Sequence, residues 1–450
     1  MVNAEEFDDL ALDRLSHPAA LPGGVSRRRF LQLAGAGAGA ATLSPYLSSL
    51  SAFAAPPVGA NDGILVLIMM EGGNDGLNTV VPTGEANYYA LRPRLGIGAG
   101  AALNIGPGVG LHPALPKLKA RFDQGDVAVV QGVGYANPDL SHFSSMGIWM
   151  NGWGGPRQTG PPTGWIGRYM DGLPNAADES LYGVVVGSSV PLHMVGNVSR
   201  ASGLPTNLGG AFGIDRRDVN DVRMFDALSS FSGGATGLGQ WGDLTAKVEH
   251  DTLALAQKIQ PAYQGTFPDT NLGRELTLVA KLINTNLGIR VFNTNIGGFD
   301  THSGQAGGHA AQLGEIDDAI EALFTTLSPT WRSRVTVMTF SEFGRRPEEN
   351  SDAGTDHGTA APLFVVGPRV KGGLYGAPSR TSDLDSNDNL KFHVDFRQVY
   401  ATILDTWLKA DSQQVLGYNF GSLGFFDGGP GNGVVAPTRP HRRRRKRLTV

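Results

Sequence analysis

Seven consecutive apolar residues, Ile64 to Met70 in "GILVLIMMEGGNDG", run into Glu71, two glycines, Asn74 and Asp75. A run without polar alternation is covered on both faces, as in an interior strand of a parallel sheet. Four further runs share the form: "DVAVVQGVGY", "GIRVFNTNIGGFDTH", "RVTVMTFSEFGR" and "APLFVVG". Helical patterns lie between them. "HPALPKLKARFDQG" precedes the second run, and "LGRELTLVAKLINTNLG" precedes the third and stops at a glycine. "HAAQLGEIDDAIEALFTTL" puts Leu313, Ile316, Ile320, Leu323, Phe324 and Leu327 on one face. "HVDFRQVYATILDTWL" sets Phe396, Val399, Tyr400, Ile403, Leu404, Trp407 and Leu408 at i, i+3, i+4 and i+7, a core-facing stripe. This alternation predicts an α/β fold, a doubly wound and mostly parallel sheet with helices on both faces. The domain is expected over residues 61–420. Within it, about 152–245 is rich in Gly, Pro, Asn and Ser with little period, and reads as an irregular insertion.

The two ends of the chain read differently from this body. "SRRRFLQLAGAGAGAATL" has the form of an export signal, with Arg27 and Arg28 opening a weakly apolar Ala/Gly stretch. Residues 1–54 are assigned to it, with Ala52-Phe53-Ala54 as a small-x-small cleavage site. The apolar stretch is interrupted and falls short of the roughly 20 residues of a membrane span, so no transmembrane span is expected. Residues 428–450 form a flexible basic tail. Of the net charge of −4, the tail contributes +7 and residues 1–54 contribute −1, which leaves −10 on the body. Such a body argues against nucleic-acid binding. The chain has no cysteine, which excludes disulfides and thiolate metal sites.

In open α/β sheets ligands sit beyond the carboxyl ends of the strands. Asp75 follows the first run, and Ser141 and His142 follow the second. Asp300 and His302 end the third, Glu342 ends the fourth, and Asp356-His357 precede the fifth. Carboxylates gathered at one edge repel one another unless a cation neutralises them. Carboxylate and imidazole donors suit a divalent metal, with Zn, Mn or Ca expected as one or two ions. Alternatives stand beside several of these residues. Asn74-Asp75-Gly76 is also a turn sequence. Ser141 opens a helix, where it is either a metal-activated nucleophile or an N-cap. Arg168 and Arg345 either bind an anionic group or form salt bridges.

Taken together, "LIMMEGGNDGLNTVVP", "LHPALPKLK", "SHFSSMGIWMNG", "GWIGRYMD", "FDTHSGQ", "TFSEFGRRPEEN", "TDHGTAAPLFVVG" and "HVDFRQVYATILDTWL" resemble the twin-arginine-exported bacterial domain of unknown function numbered 1501. That family is a distant relative of sulfatases and alkaline phosphatases. The resemblance implies a two-metal hydrolase site. Asp75 matches the first-strand metal Asp, Asp300 and His302 a later Asp and His, Glu342 a following metal Asp, and His357 the late His. A competing alignment takes Asp356-His357 as the adjacent Asp-His pair. Two departures stand out. Phe343 replaces the His or Asn that follows the strand-four acid. Pro138 falls near the nucleophile position, so Ser141, Ser144 or water stands in.

The function expected is an exported metal-dependent hydrolase of sulfate or phosphate esters, acting on a small-molecule or glycan ester in the periplasm or outside the cell. The partner expected at export is the twin-arginine machinery. The alternative is a catalytically altered or inactive metal-binding envelope protein. Trp149, Trp153 and Trp165 leave a carbohydrate-binding role as a third reading.

Overall fold

The computed structural model describes residues 56–155, 160–177, 179, 181–206 and 258–428, with 219 and 223. Its elements lie in the unit formed by Ser49–Thr206 and Leu255–Val450. The segment expected to be an export signal, with Arg27 and Arg28, and the basic stretch beyond 428 lie outside the described residues. Among the described residues no helix is long and apolar enough to cross a membrane.

The strands are β1 (Ile64–Met70), β2 (Val80–Val81), β3 (Leu103–Gly106), β4 (Val109–Leu111), β5 (Val127–Gly134), β6 (Gly183–Val186), β7 (Ser202–Leu204), β8 (Val291–Ile296), β9 (Val335–Phe340), β10 (Ala361–Val366), β11 (Gly373–Tyr375) and β12 (Val394–Asp395). Nine of them form one sheet, ordered β11-β5-β10-β9-β1-β8-β6-β7, with β12 also on β5. The remaining three, β2, β4 and β3, form a small antiparallel sheet. The five apolar runs are the five strands at the centre. Every strand of the large sheet runs the same way except β10, which is antiparallel to both β5 and β9. The fold is therefore a mostly parallel α/β sheet, and one reversed strand puts the start of β10 at the edge where its neighbours end.

Every residue of β1 is buried, as an unbroken apolar run requires. Leu65, Leu67 and Met69 share a core with Trp149, Trp165, Tyr400 and Trp407. The helix His142–Asn151 follows β5, Asn271–Thr285 leads toward β8, and Gln305–Thr326 joins β8 to β9. The helix leading toward β8 ends at Asn286 in the left-handed conformation, two residues before the expected glycine. Asn tolerates that conformation because its short polar side chain can bond locally. All seven stripe residues from Phe396 to Leu408 are buried. The α-helix Phe396–Thr402 widens into a π-turn over Ile403–Leu408.

The stretch read as an irregular insertion is more ordered than its composition implies. Through residue 206 it contributes the helix Trp165–Asp171 and two parallel strands, β6 and β7, to the large sheet. Four residues of strand, Gly-Val-Val-Val, are too few to show a period. The Ser, Asn and Pro around them mask the pattern.

Trp407 joins the last helical segment to the sheet. Its ring is buried, and Nε1–H donates to the Ile64 carbonyl at 3.0 Å. Trp407→Ala leaves a large cavity and removes the ring's hydrogen bond to the start of β1. It should lower stability by about 3–5 kcal/mol in denaturant unfolding, with little change in the m-value.

Candidate metal centre

Three imidazoles converge on the Asp300 carboxylate from three segments. His142 comes from the first turn of the helix after β5. His302 follows β8, two residues beyond Asp300. His357 precedes β10 and reaches the same edge because that strand is reversed. The His302 Nε2 lies 2.9 Å from Asp300 Oδ1, that of His357 lies 3.2 Å from the same oxygen, and that of His142 lies 3.4 Å from Oδ2. The Nε2 atoms of His302 and His357 are 3.1 Å apart.

The other nitrogen of each ring faces an oxygen. His142 Nδ1 is 2.8 Å from Glu342 Oε1, His302 Nδ1 is 3.0 Å from Asp356 Oδ1, and His357 Nδ1 is 2.8 Å from the Leu140 carbonyl. Carboxylates and carbonyls only accept, so each Nδ1 carries the hydrogen. A neutral ring then has its Nε2 lone pair free. Three lone pairs and a carboxylate thus meet with no donor among the four. Such a set has the donor chemistry of a cation site. Tetrahedral ligation at metal–nitrogen distances near 2.0 Å separates neighbouring donors by about 3.3 Å, and the spacings above run from 2.9 to 3.4 Å. His142, Asp300 and His357 form a group of three such donors within reach of a single ion.

Burial works to raise the Asp300 carboxyl. The hydrogen bond and the charge of Arg345 outweigh it and hold the group at about 2. The hydrogen bond from His302 is the main cause that lowers Asp356. Asp300 and His302 are nearly half exposed, so the cluster opens to solvent on one side. Glu342 and Phe343 close the other side. The Phe343 ring lies 4.9 Å from that of His142 and 4.8 Å from that of His357.

Two glycines let the end of β1 come this close. Gly72 and Gly73 have positive φ. A Cβ on Gly72 would lie 2.4 Å from the Asp300 amide nitrogen, and one on Gly73 would run into Phe343. Arg345 fastens the same junction. Its guanidinium is fully buried and donates to the carbonyls of Gly72, Gly73, Phe299 and Thr355, and to Asp300 Oδ1 at 2.6 Å.

The remaining sequence candidates have other partners. Asp75 does not join the cluster. Oδ1 caps the helix Gly76–Thr79 at the Asn78 amide, and Oδ2 accepts from Arg92 and Gln305. Burial works to raise its carboxyl, but the Arg92 charge prevails and holds it below the usual range. Glu342 and Asp356 touch imidazoles through Nδ1 and sit behind the donor set. Ser141 occupies the N-cap position, but its side chain makes no capping bond. Arg168 is half-buried over Trp153 and donates to the carbonyls of Asn151, Thr163 and Val415. Burial lowers it to about 10. Arg345 and Arg168 therefore hold backbone, because loop carbonyls left without partners outcompete a solvent-facing anion site for their N–H groups. Among the described residues, Asp75 is paired with Arg92, Phe343 offers no donor, and Arg345 covers Asp300 on that side.

Arg92, Gln305 and Ser145 carry no mark in the sequence reading. Gln305 and His309 were legible in principle, since they continue the apolar face of Leu313, Ile316 and Ile320 as polar residues at core positions. Arg92 and Ser145 carry no such signal.

A family described as protein of unknown function (DUF1501) matches residues 127–424, and the chain belongs to that family. No curated protein matches. Among solved structures, Ps i-CgsB in complex with k-i-k-neocarrahexaose is 11% identical, covering 81% of this chain and 75% of that one, at a TM-score of 0.36. A protein in the alkaline phosphatase superfamily from Vibrio parahaemolyticus is 8% identical, over 76% and 72%, at 0.27. TAB5 alkaline phosphatase, with Mg bound, is 12% identical over 69% and 92%, at 0.29.

Arg92→Ala strands the buried Asp75 charge. It should lower stability by roughly 3–5 kcal/mol while leaving metal content unchanged, as read by chemical unfolding and elemental analysis. The wild-type pair has a pH signature. The folded Asp75 carboxyl lies below its ordinary value near 3.9. Its contribution is therefore complete above that value and falls away as the pH drops through it. Arg92→Ala should remove that part of the acid sensitivity.

Proposed function

We propose that the chain is a metal-dependent hydrolase of sulfate or phosphate esters with one ion per chain, exported to the periplasm or beyond. The observation that carries the reading is the convergence of three Nε2 lone pairs and one carboxylate on a half-open site. His142, Asp300 and His357 would hold the ion, with His302 beside Asp300 and His357. The absence of cysteine and the mixed nitrogen and oxygen donors suit zinc or manganese. The sequence resemblance to relatives of sulfatases and alkaline phosphatases supports the ester class.

A bound ion supplies Lewis acidity toward an ester oxygen and lowers the pKa of an attacking hydroxyl or water. The chain's own groups set the conditions. Asp300 stays ionised at neutral pH, so it offsets the ion's charge. Glu342, Asp356 and the Leu140 carbonyl keep the rings in the tautomer that faces inward. Phe343 and the buried Glu342 exclude water from behind, so that a substrate enters only from the side of Asp300 and His302. Ser141 stands at the exposed N-terminus of the helix that carries His142, where it serves as the candidate nucleophile beside water.

One observation favours a second reading, a metal-binding protein without turnover. The two-metal arrangement implied by the sequence lacks its second ligand set, because Asp75 is bound to Arg92 and Phe343 replaces a donor.

Purified protein should carry one equivalent of zinc or manganese by elemental analysis and turn over aryl phosphates or aryl sulfates. Asp300→Ala should reduce the metal to background and abolish turnover. Full occupancy in that variant would sink the site, and metal without turnover across both ester classes would favour the second reading.

A further inference from the structure

We infer that Glu342 is a positioning residue for His142, and that through it the helix His142–Asn151 is locked in place as an arm of the metal centre. The inference rests on the proposed metal site and assigns different work to a residue that the sequence suggests as a ligand. Three groups surround the Glu342 carboxylate. The Gly72 amide donates to Oε1 at 2.9 Å and His142 Nδ1–H to Oε1 at 2.8 Å, while the Ser341 hydroxyl lies 3.0 Å from Oε2 and shares its one hydrogen with the Met70 carbonyl at 2.7 Å. Both oxygens face a polar neighbour, and the residue is only 2% exposed. A carboxylate engaged in this way is held by backbone and neighbours before any ion arrives.

A second set of contacts fixes the helix to the same residue. The Ser145 hydroxyl, one turn after His142, donates to the Glu342 carbonyl and meets the Tyr135 hydroxyl at 2.8 Å. The helix is thus pinned to Glu342 twice, once through its main chain and once through its side chain. The ring of His142 has little freedom between Glu342 and Phe343. What remains is its Nε2, which is buried with no hydrogen-bond partner and aimed at Asp300. An unpaired buried nitrogen has a cost unless something accepts its lone pair. A carboxylate that receives the far N–H of a ligating imidazole fixes its tautomer and raises its basicity, and loss of such a partner typically lowers metal affinity by 10- to 100-fold.

The test is a double-mutant cycle on Co(II) affinity, measured on apo-protein by chelator competition and by the cobalt absorption spectrum. Glu342→Ala should weaken Co(II) binding by roughly 10- to 100-fold and alter the spectrum. His142→Ala should weaken it at least as much. In the His142→Ala background, adding Glu342→Ala should change little, because the carboxylate acts through the imidazole. Equal losses in both backgrounds would overturn the inference, since Glu342 would then ligate directly or act only on the fold. If Glu342→Ala fails to fold, Glu342→Gln carries the same cycle, with a smaller but equally His142-dependent loss expected. Wild-type protein that binds no Co(II) would instead refute the metal reading itself. Wild-type binding with no effect of either Glu342 variant would refute the positioning role alone.

Discussion

The guanidinium of Arg345 sits at the junction of the loops that build the cluster. It accepts no solvent and donates to four backbone carbonyls, on the loop after β1, the loop after β8 and the loop before β10, and then to Asp300. Glycine-rich loops entering a buried region bring carbonyls that need partners. One planar group with five N–H bonds meets that need more compactly than a set of separate side chains. Its positive charge also offsets the one carboxylate that faces all three imidazoles. Organisation of backbone and electrostatic preparation of the site are thus the work of one residue.

The sheet direction has the same standing. Were β10 parallel to its neighbours, the segment before it would start at the far edge, and His357 would be a sheet length away from Asp300 and His302. Its reversal is what brings a residue that precedes a strand to residues that follow strands. The helix carrying His142 then closes the group from a third direction, held by Ser145 and Glu342.

Most of the fold was legible because burial leaves a local trace. The five central strands are short, mostly apolar runs, unbroken in β1, and the stripes ending at Leu327 and Leu408 follow helical spacing. The strands β6 and β7 were missed because short segments among glycine, serine and asparagine leave no period to read. The cluster was half legible. Residue type placed Asp300, His302, His142 and His357 at one edge, but type alone does not separate a ligand from the group behind it. Glu342 and Asp356 are carboxylates next to imidazoles, and only the atom each one touches reveals its place. Asp75 was misread for the same reason: its partner Arg92 lies 17 positions away with no rule connecting them.

The donors to the centre sit at positions 142, 300 and 357, so a bound ion would close a loop of more than 200 residues. Loop-closure entropy grows only slowly with length, yet a clasp over so long a stretch still acts on the unfolded chain much as a cross-link does. None of its jaws exists until β5, β8, β9 and β10 have paired, which makes an ion in this place a seal on a completed fold rather than a nucleus for one. In a chain without cysteine, such an ion would be a long-range fastening of the kind that disulfides supply elsewhere.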